Sequence, residues 1–418
     1  MSSRNRRTAN AEDMFPGMPD ILGKKPPKAT ENSWAARTLD EAIARSYELL
    51  DHAIVQFSTG NATGTRKKWI ADPDMPIPRH PREPQKVQVS VPINYGPREL
   101  AGIFGLYSGG RDSVNTMHLL RKYMKDRPLF RHFFQGIAHV NTGTAVAETT
   151  QHVREAVPAW GVKLHELSPK VTYLDLVLGN VRATVGPNIG RSVWLGFPGP
   201  GKLPHNVMYR RLKDEPLQRL RASLVGRDGT RRKVMYVGGM RWDESDKRFR
   251  TAEEIDVDGG IVWVSPVVHW TNAHMREYRA RYRCEKAHRH QPHRLCGDEA
   301  LPVNPVTENL HMSGDCACGA YAKKDEKEER RFFYPDHAAD IDLWEKTVRD
   351  AGIAANVWGQ APPKGFVQAG AEQPASVMER LCTNCKPPIP GQDDLIDQWR
   401  DTGLISPEQH AAFTRPAA

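Results

Sequence analysis

Long apolar runs are missing from this chain. No run approaches the roughly 20 residues that a membrane-spanning helix needs, so we expect no membrane partner. The basic residues near the start, Arg4, Arg6 and Arg7, have no apolar stretch behind them, which argues against a secretory signal. We therefore expect a cytoplasmic protein, in which the six cysteines are thiols or metal ligands rather than disulfides.

Two familiar nucleotide-binding motifs are absent as well. The chain has no Gly-x4-Gly-Lys-Ser/Thr segment, which excludes the ordinary kinase or GTPase loop. It has no Gly-x-Gly-x-x-Gly at a predicted strand end, which disfavours a dinucleotide site. Lys and Arg outnumber Asp and Glu by 59 − 50 = +9, and this balance favours phosphate-bearing ligands or nucleic acid. A basic, solvated surface is the alternative explanation.

The most informative segment follows a short apolar run. Residues 108–113 read Ser-Gly-Gly-Arg-Asp-Ser and come directly after Ile103–Tyr107. Glycines let the backbone approach a phosphate group closely, and the amides at a helix start then face that group. The alternative is a tight strand-to-helix turn in which Asp112 caps the helix.

Strand and helix patterns alternate from about residue 100 onwards. The pattern predicts strands over 103–107, 137–140, 163–167, 234–237 and 261–264, with helices over 114–124 and 145–157. This alternation predicts an α/β fold with a doubly wound, mostly parallel sheet, whose ligand binds at the carboxyl ends of the strands. We expect three units: 1–90 with a tail, a helix and a proline-rich linker, 91–280 as the nucleotide-binding domain, and 281–418 as a cysteine-rich C-terminal module.

Other elements are predicted outside that alternation. Apolar residues at helical spacing predict a helix over Leu39–Ile54, with Thr38 or Asp40 as its cap. Alternating valines at 87, 89 and 91 predict a strand that enters the main domain. The charged run Lys323–Arg331 predicts a solvated helix or loop.

Three further motifs follow the glycine-rich segment in order. They are His139-Val-Asn-Thr-Gly143 with Glu148-Thr149, Val237-Gly-Gly-Met-Arg-Trp-Asp-Glu-Ser245 with Arg248, and Val264-Ser-Pro-Val-Val-His-Trp-Thr271 with Tyr278. Together with 108–113 they resemble the phosphoadenosine phosphosulfate (PAPS) reductase family, which belongs to the adenine nucleotide alpha-hydrolase superfamily. The resemblance covers about residues 100–282.

The resemblance implies roles for the matching residues. It places the phosphate or sulfate end of an adenine nucleotide, PAPS or ATP with or without Mg²⁺, at the glycine loop. Arg241 would offer a fork of donors to an anionic oxygen, with Glu244 and Ser245 orienting it, and it would act with Asp112 in catalysis. A structural ion pair between Arg241 and Glu244 is the alternative. The expected nucleotide-binding residues are Ser108, Gly109, Gly110, Arg111, Asp112, Ser113, Asn141, Thr142, Gly143, Arg241, Glu244 and Ser245.

The chain also departs from the family's pattern. Arg111 stands where relatives often carry lysine, and Asn141 stands where an aspartate is frequent. The segment His205–Leu217 resembles one that can carry a cysteine pair in the family, but it contains no cysteine. The iron–sulfur ligand pattern of the adenylyl-sulfate reductases is therefore incomplete.

The cysteines lie further along the chain. Four thiols within 35 residues suit one tetrahedral site that holds zinc or an iron–sulfur cluster. These metal-ligand candidates are Cys284, Cys296, Cys316 and Cys318. A second grouping joins Cys316 and Cys318 to Cys382 and Cys385, and a third possibility is that all are free thiols. Cys316 or Cys318 is also a candidate catalytic nucleophile, a role that a metal-bound thiolate could not fill.

These observations lead to three functional hypotheses. In the first, a PAPS reductase-like enzyme of sulfur metabolism uses a cysteine thiolate to attack the sulfonate, and a thiol reductant releases sulfite. In the second, which resembles the DNA phosphorothioation enzymes, ATP activates a nucleic-acid oxygen and sulfur arrives from a sulfur donor protein through a metal-bound cysteine cluster. In the third, the chain is a non-catalytic nucleotide- or nucleic-acid-binding module with structural zinc.

Overall fold

The computed structural model describes most of the chain between residues 33 and 366. The described ranges are 33–58, 63–71, 86–94, 99–184, 189–199, 202–225, 232–244, 252–283, 300–310, 312–322 and 325–366. The strands are β1 (Thr63–Ala71), β2 (Lys86–Asn94), β3 (Glu99–Leu106), β4 (Phe134–Val140), β5 (Leu164–Leu167), β6 (Arg232–Val237), β7 (Ile255–Asp258) and β8 (Ile261–Val264). The helices are α1 (Leu39–Ser58), α2 (Arg111–Asp126), α3 (Ala147–Ala159), α4 (Tyr173–Val177), α5 (Lys202–Tyr209), α6 (Glu215–Val225), α7 (Asn272–Arg281), α8 (Pro305–Asn309), α9 (Glu326–Phe333) and α10 (Pro335–Asp350).

The main sheet has six strands in the order β5-β4-β3-β6-β8-β7. All neighbouring pairs are parallel except β7 and β8, which are antiparallel at one side of the sheet. The predicted α/β class with a mostly parallel sheet is confirmed. Because the parallel strands share one direction, the segments that follow β3, β4 and β6 meet at one edge, which we call the carboxyl edge.

The order of the strands reverses between β3 and β6. From β3 the chain moves outward through β4 to β5, and it then returns to the other side of β3 as β6. Glu99 aligns with Arg232 and Gly105 with Val237, so the two strands end side by side. In open α/β sheets, ligands bind at the carboxyl edge where the order reverses. The segments after β3 and β6 flank this point.

Helices pack on both faces of the sheet. Ile103 and Phe104 are consecutive on β3 and therefore point to opposite faces. Ile103 belongs to a core that includes α1, α2, α3 and α7, whereas Phe104 packs in a smaller core with Leu217 and Val225 of α6. The sheet is thus buried on both sides, as its apolar strands require.

Helix α1 begins with a capping box. The Glu41 amide donates to Thr38 Oγ1 at 3.3 Å, and the Thr38 amide donates to Glu41 Oε2 at 2.8 Å. The predicted helix and its Thr38 cap are confirmed. Trp270 Nε1 donates to Ser46 Oγ at 2.9 Å, so this N-terminal helix packs into the same core as residues near 270.

The strand predicted near residue 89 is present, but it does not join the main sheet. β2 pairs antiparallel with β1, from Thr63 opposite Asn94 to Ala71 opposite Lys86. The sequence pattern did not predict β1, which is rich in Thr, Lys and Arg rather than in alternating apolar residues. The proline-rich stretch between these strands lies outside the described residues.

The described part of 281–418 packs against the α/β domain. A second core joins α4, the segment around Leu212, residues 316–322 and helix α10. The described part of this charged run forms the start of helix α9 from Glu326 onwards, but the prediction of a solvated run is wrong for Glu326 and Arg330. Both are buried, and Arg330 Nη2 contacts Glu326 Oε1 at 2.6 Å. None of the helices in the described ranges has the length and apolar character needed to cross a lipid bilayer.

Candidate nucleotide-binding site

The glycine loop, residues 108–113, folds on itself after β3. Ser108 Oγ lies 3.0 Å from Ser113 Oγ and accepts from the Gly110 amide at 3.3 Å. Ser113 Oγ donates to the Gly110 carbonyl at 2.9 Å. Gly109 has a φ of +77°, a conformation that residues with a Cβ rarely adopt. The loop is therefore a compact turn built from its own two serines and its first glycine.

Helix α2 starts inside this loop. Gly110 is its N-cap residue and, having no side chain, makes no capping hydrogen bond. The first amides of an α-helix lack intrahelical partners and carry partial positive charge. Such a start attracts an anion. The alternative in which Asp112 caps the helix does not hold, because its carboxylate binds an arginine instead.

That arginine is Arg241, from the segment after β6. Its Nε and Nη2 atoms both donate to Asp112 Oδ2, at 2.9 and 2.7 Å. Nη2 also donates to Asn272 Oδ1 at 3.1 Å, and Nη1 donates to the Trp270 carbonyl at 3.3 Å. The Arg241 side chain is only 3% exposed. Its donors are thus largely used inside the protein, where Asp112 and Asn272 orient it.

Gly239 lets the segment after β6 approach α2 closely. A Cβ at Gly239 would lie 2.9 Å from Thr116 Oγ1 and 3.2 Å from the Asp112 carbonyl oxygen. The two strand-end segments are therefore in direct contact at the reversal of strand order. Glu244 follows in a short 3₁₀ helix, Trp242–Glu244, and Ser245 lies outside the described residues.

The segment after β4 is open to solvent. Gly143 is exposed with a φ of +75°, and a Cβ placed on it would meet nothing within 4 Å. Its amide donates to Asn141 Oδ1 at 3.1 Å, while Asn141 Nδ2 donates to Glu166 Oε1 at 3.0 Å. Thr142 is buried behind this turn. Open space beside Gly143 leaves room for a ligand at the carboxyl edge.

Residues 304–310 and 312–315 lie over the glycine loop. Asn304 Nδ2 donates to the Gly109 carbonyl at 3.0 Å. Thr149 Oγ1 donates to the Ser313 carbonyl at 2.5 Å, and a Cβ on Gly110 would lie 3.2 Å from Ser313 Cβ. Arg111 Nη2 donates to the Thr307 carbonyl at 2.7 Å. Residues about 190 positions downstream therefore form one wall of the site.

A partly buried ion pair holds the next part of this segment. Lys213 Nζ lies 2.6 Å from Asp315 Oδ2. Lys213 belongs to a π-helical turn, Arg210–Asp214, an irregularity that is frequent at functional sites. Burial pushes the pKa of Asp315 up, but Lys213 and a hydrogen bond from Ser313 outweigh it and leave the pKa below its usual value. Burial pushes the pKa of Lys213 down, and Asp315 outweighs it and leaves the pKa raised.

The two cysteines that follow differ in their chemistry. A hydrogen bond from the Cys318 thiol lowers the pKa of Cys316 to about 6, against the effect of burial, and the charge of Lys213 lowers it further. The same hydrogen bond, together with burial, raises the pKa of Cys318 well above its usual value. Thr144 Oγ1 also donates to Cys316 Sγ at 3.8 Å. The hydrogen bond thus favours the thiolate form of Cys316, with Cys318 as its thiol donor.

The predicted metal site is described only in part. Cys316 and Cys318 supply two thiols, whereas Cys284, Cys296, Cys382 and Cys385 lie outside the described residues. Within the described ranges, no group of three or more His, Cys, Asp or Glu side chains is arranged to hold a metal ion. The zinc or iron–sulfur assignment remains a prediction.

His139 lies buried on β4 near these groups. Its Nδ1 donates to the Tyr107 carbonyl at 2.9 Å, which leaves Nε2 as an acceptor. Nε2 is buried and has no hydrogen-bond partner among the described residues. Burial lowers the pKa of His139, so the ring is neutral. The family resemblance assigns no role to this histidine, although it begins one of the quoted motifs.

Comparison with known proteins assigns no function to this site. No protein-family model matches the chain, and no curated protein matches it significantly. The family resemblance of the motifs therefore stays a hypothesis. The structure brings the predicted residues of the glycine loop, Asn141–Gly143, Arg241, Cys316 and Cys318 to one edge of the sheet. The structure also brings four residues to this edge that the sequence analysis did not predict as site residues: Lys213, Thr144, Asn304 and Asp315. In the sequence, only their positions near the quoted motifs point to them.

Proposed function

We propose that this protein is an enzyme of sulfur metabolism that binds an adenine nucleotide at its glycine loop and acts at the nucleotide's sulfate or phosphate end. One observation carries the proposal: a loop suited to anions lies where the strand order reverses, and a low-pKa cysteine lies at the same edge. We also propose that the mostly parallel sheet is doubly wound and of the adenine nucleotide alpha-hydrolase type.

The binding step uses the start of α2. The amides of Arg111, Asp112 and Ser113 face the phosphate or sulfate group, and the helix dipole favours its negative charge. Asp112 and Arg241 act as positioning residues, because their ion pair joins the loop to the segment after β6. The open turn at Gly143 lies beside the nucleoside.

The chemical step uses Cys316. Its thiolate attacks the sulfonate sulfur of PAPS, a sulfur–sulfur bond forms, and the bond from sulfur to the bridging oxygen breaks. Adenosine 3′,5′-bisphosphate leaves with the electron pair of that bond. An external dithiol reductant then attacks the S-sulfonate, sulfite leaves, and the resulting mixed disulfide resolves to free Cys316 and oxidised reductant. A thiolate is the nucleophile in this step. The hydrogen bonds that Cys318 and Thr144 donate stabilise the thiolate form of Cys316 before the substrate binds.

A metal on the cysteines is the alternative to this step, because a thiolate bound to a metal cannot also be the nucleophile. Zinc or an iron–sulfur cluster would be held by Cys316 and Cys318 together with cysteines outside the described ranges. Metal analysis of anaerobically purified protein tests this assignment directly. Bound iron would favour sulfur transfer, and stoichiometric zinc would favour a structural role.

The test of the proposed function is sulfite release from PAPS with a dithiol reductant. We expect activity in the wild type, with at least a thousandfold loss in Cys316→Ser. Cys318→Ala should retain activity at high pH, because it keeps the nucleophile and loses only the thiol that donates to it. Wild-type protein that binds PAPS but releases no sulfite would contradict the reductase chemistry.

A second function is favoured by the net charge of +9. It is ATP-dependent sulfur insertion into nucleic acid, with a sulfur donor protein as partner. It predicts pyrophosphate release from ATP that depends on nucleic acid, and salt-sensitive nucleic-acid binding. If the protein binds nucleotide or nucleic acid but turns over neither PAPS nor ATP, it is the non-catalytic module with structural zinc.

A further inference from the structure

Arg279 lies on α7, which packs alongside α2. Asn115 Nδ2 donates to the Met275 carbonyl at 3.0 Å, and His118 Nδ1 lies 2.8 Å from the Tyr278 hydroxyl. These contacts run in the same direction along both helices. Helical side chains lean toward the N-terminus of their own helix, so the long Arg279 side chain extends back toward the start of α2.

The charged groups that act on its guanidinium agree with this direction. Those that act on Arg279 are Asp112, Arg111, Arg241 and Glu308. Arg111 and Asp112 form the first turn of α2, and Glu308 lies on the short helix that covers the loop. The packing of α7 along α2, together with these neighbouring charges, places the guanidinium on the glycine-loop side of α7.

The neighbouring carboxylates already have partners. Asp112 accepts two donors from Arg241, and Glu308 accepts from Arg111 Nη2 at 3.2 Å. Arg279 itself makes no hydrogen bond or ion pair with any residue in the described ranges, although it is partly buried. Three arginines face two carboxylates here, which leaves one excess positive charge at a helix start that is itself positive.

This arrangement is unfavourable without a ligand. Burial lowers the pKa of Arg279, and the charges of Arg111 and Arg241 lower it further, while Asp112 opposes them. A partly buried cation without a partner costs free energy. An oxyanion at the loop would supply the missing partner, because a guanidinium fork matches two oxygens of a phosphate or sulfate group.

We propose that Arg279 is the residue that binds an anionic oxygen of the ligand at the glycine loop, the role that the sequence motifs suggested for Arg241. The assignment rests on the proposed function, since it requires a phosphate- or sulfate-bearing ligand at residues 108–113. Arg241 positions Asp112 and the loop, and Arg279 contacts the ligand. The ligand class is a nucleotide whose phosphate or sulfate end carries at least two free oxygens.

The experiment compares Arg279→Gln with Arg281→Gln in the full-length protein. Arg281 lies two residues further along α7, is more exposed, and pairs with Asp40 and Glu277. Both variants remove one positive charge from the same helix. Isothermal titration calorimetry with ATP, PAPS and adenosine measures binding, and thermal melts without ligand measure stability.

We expect Arg279→Gln to weaken ATP and PAPS binding about tenfold to a hundredfold, as loss of hydrogen bonds to a charged group does. Adenosine binding should not change, and the melting temperature without ligand should be equal to or above that of the wild type. Arg281→Gln should bind all three ligands as the wild type does. Arg279→Lys, which keeps the charge and loses the fork, should fall between wild type and Arg279→Gln.

Three other outcomes would overturn the assignment of Arg279, each for a different reason. If the wild type binds ATP or PAPS and Arg279→Gln binds them equally well, Arg279 is not a ligand residue and the proposed function stands. If Arg279→Gln and Arg279→Lys melt well below Arg281→Gln without ligand, Arg279 is structural. If the wild type binds neither nucleotide, the proposed function and the assignment of Arg279 fail together.

Discussion

The glycine loop and the cysteine segment, residues 312–318, lie at the same edge of the sheet but are held in different ways. The loop is shaped by contacts among Ser108, Gly110 and Ser113. The cysteine segment has its shape from distant residues, since Asp315 binds Lys213 and the Ala317 amide donates to Thr144 Oγ1 at 3.0 Å. The turn of the glycine loop is therefore local in sequence, although Arg241 and Asn304 anchor it from a distance, whereas the shape of the cysteine segment depends on the completed fold.

This difference teaches how the two halves should respond to mutation. Changes at the loop's serines act on a turn that a few neighbouring residues define, whereas a change at Asp112 acts through Arg241. Changes around the cysteine segment act through residues 100 or more positions away, so they should alter the cysteines before they alter the loop. The following predictions test that separation, from the largest expected effect to the smallest.

The largest effect is expected for Asp112→Ala. Arg241 would stay buried without its carboxylate, and removing one partner of a buried ion pair costs about 3 kcal/mol or more. We expect a loss of this size in the free energy of unfolding by urea. Asp112→Asn keeps an oxygen that accepts from Arg241 and should lose clearly less. Equal stability of Asp112→Ala and wild type would show that the loop does not depend on this pair.

A smaller effect is expected for Lys213→Met. Asp315 would lose its cation in a largely buried position, and we expect a loss of about 2 kcal/mol at neutral pH. Because the folded pKa of Asp315 is lowered, its stabilisation is present above the unfolded pKa and is lost as pH falls through the folded pKa. The difference between variant and wild type should therefore shrink in acid.

Lys346→Met provides the matched control. Lys346 pairs with Asp350 on the exposed face of α10, and such a pair contributes about 0.5 kcal/mol or less. If Lys213→Met loses no more than Lys346→Met in the same denaturation, the ion pair does not hold the cysteine segment.

The reactivity of Cys316 gives the third prediction. In reduced, chelator-treated protein, the rate at which iodoacetamide alkylates Cys316 should rise with pH and reach half its maximum near pH 6, where the thiolate forms. Cys318→Ala should raise the midpoint most, since that thiol is the main donor, and Thr144→Val should raise it less. Thr144→Ser keeps the hydroxyl and should behave as wild type. A midpoint near pH 8.5, the ordinary value for a cysteine, would contradict the thiolate assignment.

The smallest effect is expected for Ser108→Ala. It removes the contact with Ser113 and the acceptor for the Gly110 amide, which together stabilise by about 1 kcal/mol. The alkylation midpoint of Cys316 should not change. A shift in that midpoint would break the separation between the two halves of the site.

Local patterns predicted much of the fold. The apolar runs at 137–140 and 261–264 are strands, and the spacing of Val114, Met117 and Leu120 marks the buried face of α2. The partners of Arg241 could not be predicted in this way, because Asp112 lies 129 positions away and only the strand order brings the two together. The same holds for Lys213 and Asp315, whose contact depends on how the second core packs.

Amide hydrogen exchange with and without nucleotide tests the central claim most directly. The first-turn amides of α2 have no intrahelical partners, so a bound phosphate or sulfate group should slow their exchange. We predict that saturating ATP or PAPS protects a peptide covering residues 108–114, leaves α1 unchanged, and has no effect when adenosine replaces the nucleotide. Unchanged exchange at 108–114 with a nucleotide that calorimetry shows to be bound would contradict the account.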